Sequence, residues 1–131
     1  MIQLDMDLFS GLVMTDIELW NKSKNQYNVM TIVLDTGAHV TTISKDILFR
    51  AGYDIFAGAT KRITTASDIE YVKEITVDRI RLGSYEIYNV LEHAHTFPQE
   101  SFATGVLGLN VLSMFDVNLL FSKHMIELTV I

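Results

Sequence analysis

Apolar and polar positions alternate from Val13 to Trp20, with Val13, Thr15, Ile17 and Leu19 on one side and Met14, Asp16, Glu18 and Trp20 on the other. That period of two is the signature of a half-buried strand. The polar stretch Asn21 to Gln26 turns the chain, and Val29 to Leu34 then reads Val-Met-Thr-Ile-Val-Leu. Being apolar on both faces, this run predicts a strand covered on two sides. It delivers Asp35 to the end of a buried strand. After Gly37 the residues Val40 to Ile43 resume an extended path, and Ser44 is placed to cap a short helix through Ala51, with Gly52 just beyond its end. Ile47, Leu48 and Ala51 form its expected inward face.

A long hairpin is predicted between Lys61 and Leu82, rising through Thr64, tipping over at Thr65 to Asp68 and returning from Ile69. On the return strand Ile69, Tyr71, Ile75 and Val77 hold odd positions whereas Ile80 and Leu82 hold even ones, so a bulge or bend is expected near Asp78 or Arg79. Gly83-Ser84 fits a two-residue turn into a strand from Tyr85 to Leu91. Beyond a loop after Phe97 come Gly105-Val106-Leu107-Gly108, a helix-like run from Val111 to Phe115, and two closing strands around 118–121 and 125–131. The whole reads as mainly β with one or two short helices, in one domain of 131 residues.

Composition narrows the function. Apolar residues make up 49% of the chain and charged residues 20%, and a mean hydropathy of +0.25 suggests that some apolar surface goes into a subunit interface. A net charge of −6 argues against nucleic acid as a partner, since phosphate binding calls for a basic patch. No cysteine occurs, which excludes disulfides and thiolate metal sites and fits a cytoplasmic location. The first residues carry acids where a secretory signal would be basic, and no apolar run reaches the roughly 18 residues of a membrane span. No membrane partner is therefore expected.

The run Leu34-Asp35-Thr36-Gly37-Ala38, preceded by an apolar strand and followed about 70 residues later by Val106-Leu107-Gly108 and Asn110-Val111-Leu112, resembles the retropepsin-like aspartic proteases. The resemblance implies a closed or partly open β-barrel of that type, with residues 1–12 as an N-terminal extension and residues 61–75 as a flap hairpin. It implies an aspartic endopeptidase without cofactor or metal, acting on peptide or protein substrates as a homodimer to which each subunit gives one Asp35. Hydrolysis by water needs a base and an acid, and two carboxylates sharing one proton supply both. The eight other aspartates, at positions 5, 7, 16, 46, 54, 68, 78 and 116, lie in no second Asp-Thr/Ser-Gly turn. The second carboxylate must come from a two-fold related chain.

By the same resemblance Thr36 ties the two active-site turns together, and Gly37 lets backbone donors reach the carboxylate. Thr42, Val106 and Leu107 line the substrate cleft, and Thr65, Ala66, Ser67, Asp68 and Ile69 form the flap that closes over it. Ala38 offers no hydroxyl to the ionised dyad, so an activity optimum from mildly acidic toward neutral pH is expected. Three features depart from the viral pattern: the flap tip has no glycine, His39 stands where an aspartate is common, and Leu109 stands where an arginine is common. The alternative reading is an inactive protease-like dimer that binds an extended peptide. A zinc site built from His93, His95 and His124 is a further reading, for which solvent-facing strand residues are the plainer account.

Overall fold

A computed structural model describes residues 1–64, 68–97 and 103–131. The strands are β1 (Ile2–Asp5), β2 (Asp7–Phe9), β3 (Leu12–Asn21), β4 (Gln26–Leu34), β5 (Thr41–Ser44), β6 (Ala59–Thr64), β7 (Ile69–Leu82), β8 (Tyr85–His95), β9 (Gly105–Leu107), β10 (Phe115–Leu120) and β11 (Met125–Val130). Two short helices, α1 (Lys45–Arg50) and α2 (Leu109–Leu112), complete the mainly β architecture.

Eight strands form one sheet in the order β2-β3-β4-β9-β5-β8-β7-β6, and a further pairing of β3 with β7 closes six of them into a ring. Inside the ring, Ile17 and Leu19 of β3 meet Ile32 of β4, Ile43 of β5, Leu107 of β9, and Val77, Ile80 and Leu82 of β7. Each such side chain, fully buried, contributes about 1.5–3 kcal/mol of hydrophobic stabilisation. The remaining sheet, in the order β1-β11-β10, adds Ile2, Leu4, Ile126 and Leu128 to the same core. Residues 1–12 thus form strands, β1 beside β11 and β2 beside β3. Gly83, at φ +61, makes the β7–β8 turn against β1, where a Cβ would stand 3.1 Å from Ile2 Cγ2. A left-handed residue in such close contact is a natural place for glycine.

Several local expectations shift. Val29 is 68% exposed, so β4 is covered on both faces only near its end, where Ile32 joins the main core and Val33 packs with Met14 and Ala103. On β7, Ile69 and Tyr71 are exposed and Val72 is buried instead, because this half of the hairpin extends past the main core, which begins at Ile75. The expected disturbance near Asp78 is a bend rather than an inserted residue. Val77 pairs with Val90 and Arg79 with Tyr88, so the register is unchanged across it. Asn89 takes φ 55, and the inward parity switches on both strands together. Ser44 does precede α1, yet its side chain makes no capping bond. Helix α2 ends before Phe115, which opens β10.

Candidate active site

Asp35 follows β4 directly, and its N–H donates to Leu107 O at 3.1 Å, extending the β4–β9 ladder by one residue. The chain then turns: Ala38 N–H donates to Asp35 O at 3.2 Å, and Gly37 N–H donates to Asp35 Oδ1 at 2.8 Å. A backbone donor aimed at a carboxylate oxygen fixes its orientation. Asp35, Thr36 and Gly37 are exposed and Ala38 is half-buried. The carboxylate therefore stands at the surface of the chain on a turn held from below.

The holding is done by residues around α2. Leu109 N–H donates to Ala38 O at 2.8 Å, and Asn110 N–H donates to His39 O at 3.1 Å. Asn110 Oδ1 accepts from both the backbone N–H and the hydroxyl of Thr41, each at 2.8 Å, while its Nδ2 donates to Leu91 O at 2.8 Å. Gly108 N–H donates to Thr41 Oγ1 at 3.0 Å. One side-chain amide thus links β5 to β8, while the backbone N–H of the same residue holds the Asp35 turn at His39. Thr41 and Asn110 were not among the site residues expected from sequence; the available signal was the asparagine two positions after the Gly of Val106-Leu107-Gly108.

Gly108 is needed here for space. A Cβ on it would stand 2.7 Å from Val40 C and 2.9 Å from Ala38 O and Thr41 N, all backbone atoms that cannot swing away. We expect Gly108→Ala to destabilise the chain by about 1–3 kcal/mol, read from the denaturant midpoint. An unchanged midpoint would show that the turn tolerates displacement.

The other expected site residues are placed unevenly. Thr42 and Val106 are half-buried and pair directly with each other across β5 and β9. Leu107 is fully buried within the core. Its cleft-lining role is corrected accordingly, because alternation along β9 sends adjacent side chains to opposite faces, leaving Val106 to face outward. Of the flap residues, Thr65, Ala66 and Ser67 lie outside the described residues. Asp68 and Ile69 are exposed, the Asp68 carboxylate accepts from Ile69 N–H at 2.7 Å, and Thr64 pairs with Ile69 to close the hairpin.

Among the described residues, no group of three or more histidine or acidic side chains converges as a metal site would require. His93 Nε2 instead lies 3.6 Å from Glu74 Oε2, and His95 Nε2 3.6 Å from Glu70 Oε2. His124 sits in the turn before β11, in the smaller sheet. No described helix is long and apolar enough to cross a membrane. On the opposite face of β8 from the two histidines, Glu92 is wholly buried with both carboxylate oxygens lacking a hydrogen-bond partner. Burial pushes its carboxyl well above the ordinary range. The even positions Val90, Glu92 and Ala94 place it on the core face, and that parity was its sequence signal.

Residues 23–114 match the profile of the family described as gag-polyprotein putative aspartyl protease, a span that includes the Asp35 turn, the β6–β7 hairpin and α2. Among solved structures, the chain is similar to a retropepsin-like aspartic protease from Rickettsia conorii, with a TM-score of 0.70 and 19% sequence identity over 97% of this chain and 88% of that one. No curated protein matches the sequence. With the family profile covering well over half of its length and the fold shared, the chain belongs to the gag-polyprotein aspartyl protease family and has a retropepsin-like fold.

Proposed function

We propose that residues 1–131 act as one protease domain that forms a homodimeric aspartic endopeptidase, with Asp35 and its symmetry mate as the catalytic pair. The observation that carries this reading is a single, exposed Asp35 carboxylate, oriented by the Gly37 N–H, in a chain with no second Asp-Thr/Ser-Gly turn.

In the dimer the two carboxylates share one proton, because like charges at such short range do not both ionise. The ionised member takes a proton from water, whose oxygen attacks the peptide carbonyl carbon. The protonated member gives its proton to the carbonyl oxygen. Collapse of the tetrahedral intermediate expels the amine, which leaves with a proton returned through the pair. Thr42 and Val106 would contact substrate side chains, while Thr65 to Ile69 would close over the peptide backbone.

Digestion of a diverse peptide library between pH 4 and 8, at concentrations that support the dimer, tests the reading. We expect cleavage with an optimum between mildly acidic and neutral pH, since Ala38 brings no hydroxyl to the ionised carboxylate. A profile peaking near pH 3 and dead at pH 6 would contradict the role given to Ala38, and no cleavage at any pH would favour the alternative, a dimer that binds peptides without cutting them. The glycine-free sequence of the flap tip is the feature that supports this second reading.

A further inference from the structure

One row of side chains crosses five neighbouring strands. Val33 pairs with Val106, Val106 with Thr42, Thr42 with His93, and His93 with Glu74. Directly paired residues share a face of the sheet. Their chain neighbours Ile32, Leu107, Ile43, Ala94 and Ile75 belong to the main core, so the row lies on the other face. Asp35 continues the β4–β9 ladder two residues past Val33, and alternation carries it to that face as well. The row therefore leads from the catalytic turn to a histidine and a glutamate.

The distances suit a peptide lying in between. Four strand spacings, about 19 Å, separate the end of β4 from Glu74 along this row, while an extended peptide advances about 3.3 Å per residue. A long side chain about four residues from the scissile bond reaches the His93–Glu74 pair. His93 is 13% and Glu74 24% exposed at the side chain, so the carboxylate is largely desolvated yet accessible. Their 3.6 Å separation is too long for a hydrogen bond, leaving Glu74 able to accept a donor from a third group.

We propose that Glu74, set beside His93, is a specificity-determining residue that makes the acidic wall of a subsite for a lysine or arginine side chain of the peptide substrate. The inference rests on the protease reading above. A second acid, Glu70, follows on the same face of β7 beside His95, and the fixed cation facing them from β6 is the exposed Lys61, opposite Val72. Acid thus outweighs fixed base along this wall. An ammonium or guanidinium group would donate a charge-assisted hydrogen bond to Glu74. A neutral side chain of similar size would leave the carboxylate partly desolvated without a donor, and that penalty is what discriminates.

Matched peptides carrying Lys, Arg, Gln or Leu at one position about four residues from the cut test the proposal. We expect kcat/KM about tenfold higher for the basic peptides with the wild-type dimer, a ratio falling toward parity in Glu74→Gln and retained in Glu74→Asp, with thermal melts confirming that both variants fold. The same ratio in wild type and Glu74→Gln would overturn it. Fluorescent versions of these peptides, bound to the Asp35→Asn chain with and without Glu74→Gln, read the subsite independently of cleavage. A basic preference that depends on Glu74 supports the subsite even if no peptide is cut, an outcome that would sink only the endopeptidase reading; absence of that preference overturns the subsite itself.

Discussion

Replacing Asp35 with asparagine should lower kcat/KM for any cleaved peptide by about a thousandfold or more, because the proposed pair would lose the group that holds and passes the proton. Asparagine keeps the size of the side chain, and its oxygen still accepts the Gly37 N–H that now meets Asp35 Oδ1 at 2.8 Å. The turn should therefore survive, with the far-ultraviolet circular dichroism and melting temperature close to wild type. On the homodimer proposal the variant should also act on its partner. Mixed in excess with wild-type chain, it should form heterodimers that hold one carboxylate, and wild-type activity should fall as those heterodimers replace the active pair. Undiminished cleavage by pure Asp35→Asn would place the activity elsewhere.

The second large effect concerns Glu92 and the pH dependence of stability. Its carboxyl is wholly buried with both oxygens unpartnered, and burial alone raises its pKa well above the ordinary value of 4.5. The folded chain holds this proton at pH values where the unfolded chain has released it. Folded protein binding the extra proton means that stability falls as pH rises, by up to about 1.4 kcal/mol per pH unit. The decline starts in the ordinary carboxylate range and continues until Glu92 itself ionises. The neighbouring strand residues in register, Thr41 on β5 and Ile75 on β7, carry no charge to offset it. Tyr53, whose hydroxyl donates to Trp20 O at 2.8 Å, is raised to about 12 chiefly by its own burial.

Glu92→Leu should therefore stabilise the chain near pH 7 by about 1–3 kcal/mol through removal of an unpartnered buried polar group. Glu92→Gln keeps a polar side chain but cannot ionise, so it should flatten the pH dependence of the melting temperature while gaining less. A Glu92→Gln variant whose melting temperature falls between pH 5 and 8 as steeply as wild type would contradict this account. The position links stability to the site, since Glu92 adjoins Leu91, whose carbonyl accepts from Asn110, and pairs with Thr41, which donates to the same side chain.

Much of this arrangement was legible in the residues. The alternation of Val13 to Trp20, the turn before Gln26 and the hairpin from Lys61 to Leu82 are local patterns, and the strands follow them closely. Asp35 stands out as the candidate because a short motif states a chemistry and its backbone needs together. Positions that depend on which face meets the core were harder. Val29 reads as buried but is exposed, since the sequence does not reveal where a neighbouring layer stops. Leu107 reads as one of a cleft-lining pair, yet β9 is a strand, so the two neighbours separate to opposite faces. Asn110 belongs to the run that carries the resemblance, but its role is not legible there, because it consists of hydrogen bonds to residues 69 positions away at Thr41 and 19 away at Leu91.

The central claim, that one Asp35 from each of two chains makes the site, is tested most directly by measuring cleavage rate and dimer fraction together over a dilution series. With both aspartates required, the rate per chain should rise in proportion to the dimer fraction and vanish as the dimer dissociates. A rate per chain that stays constant while the protein becomes monomeric would contradict it.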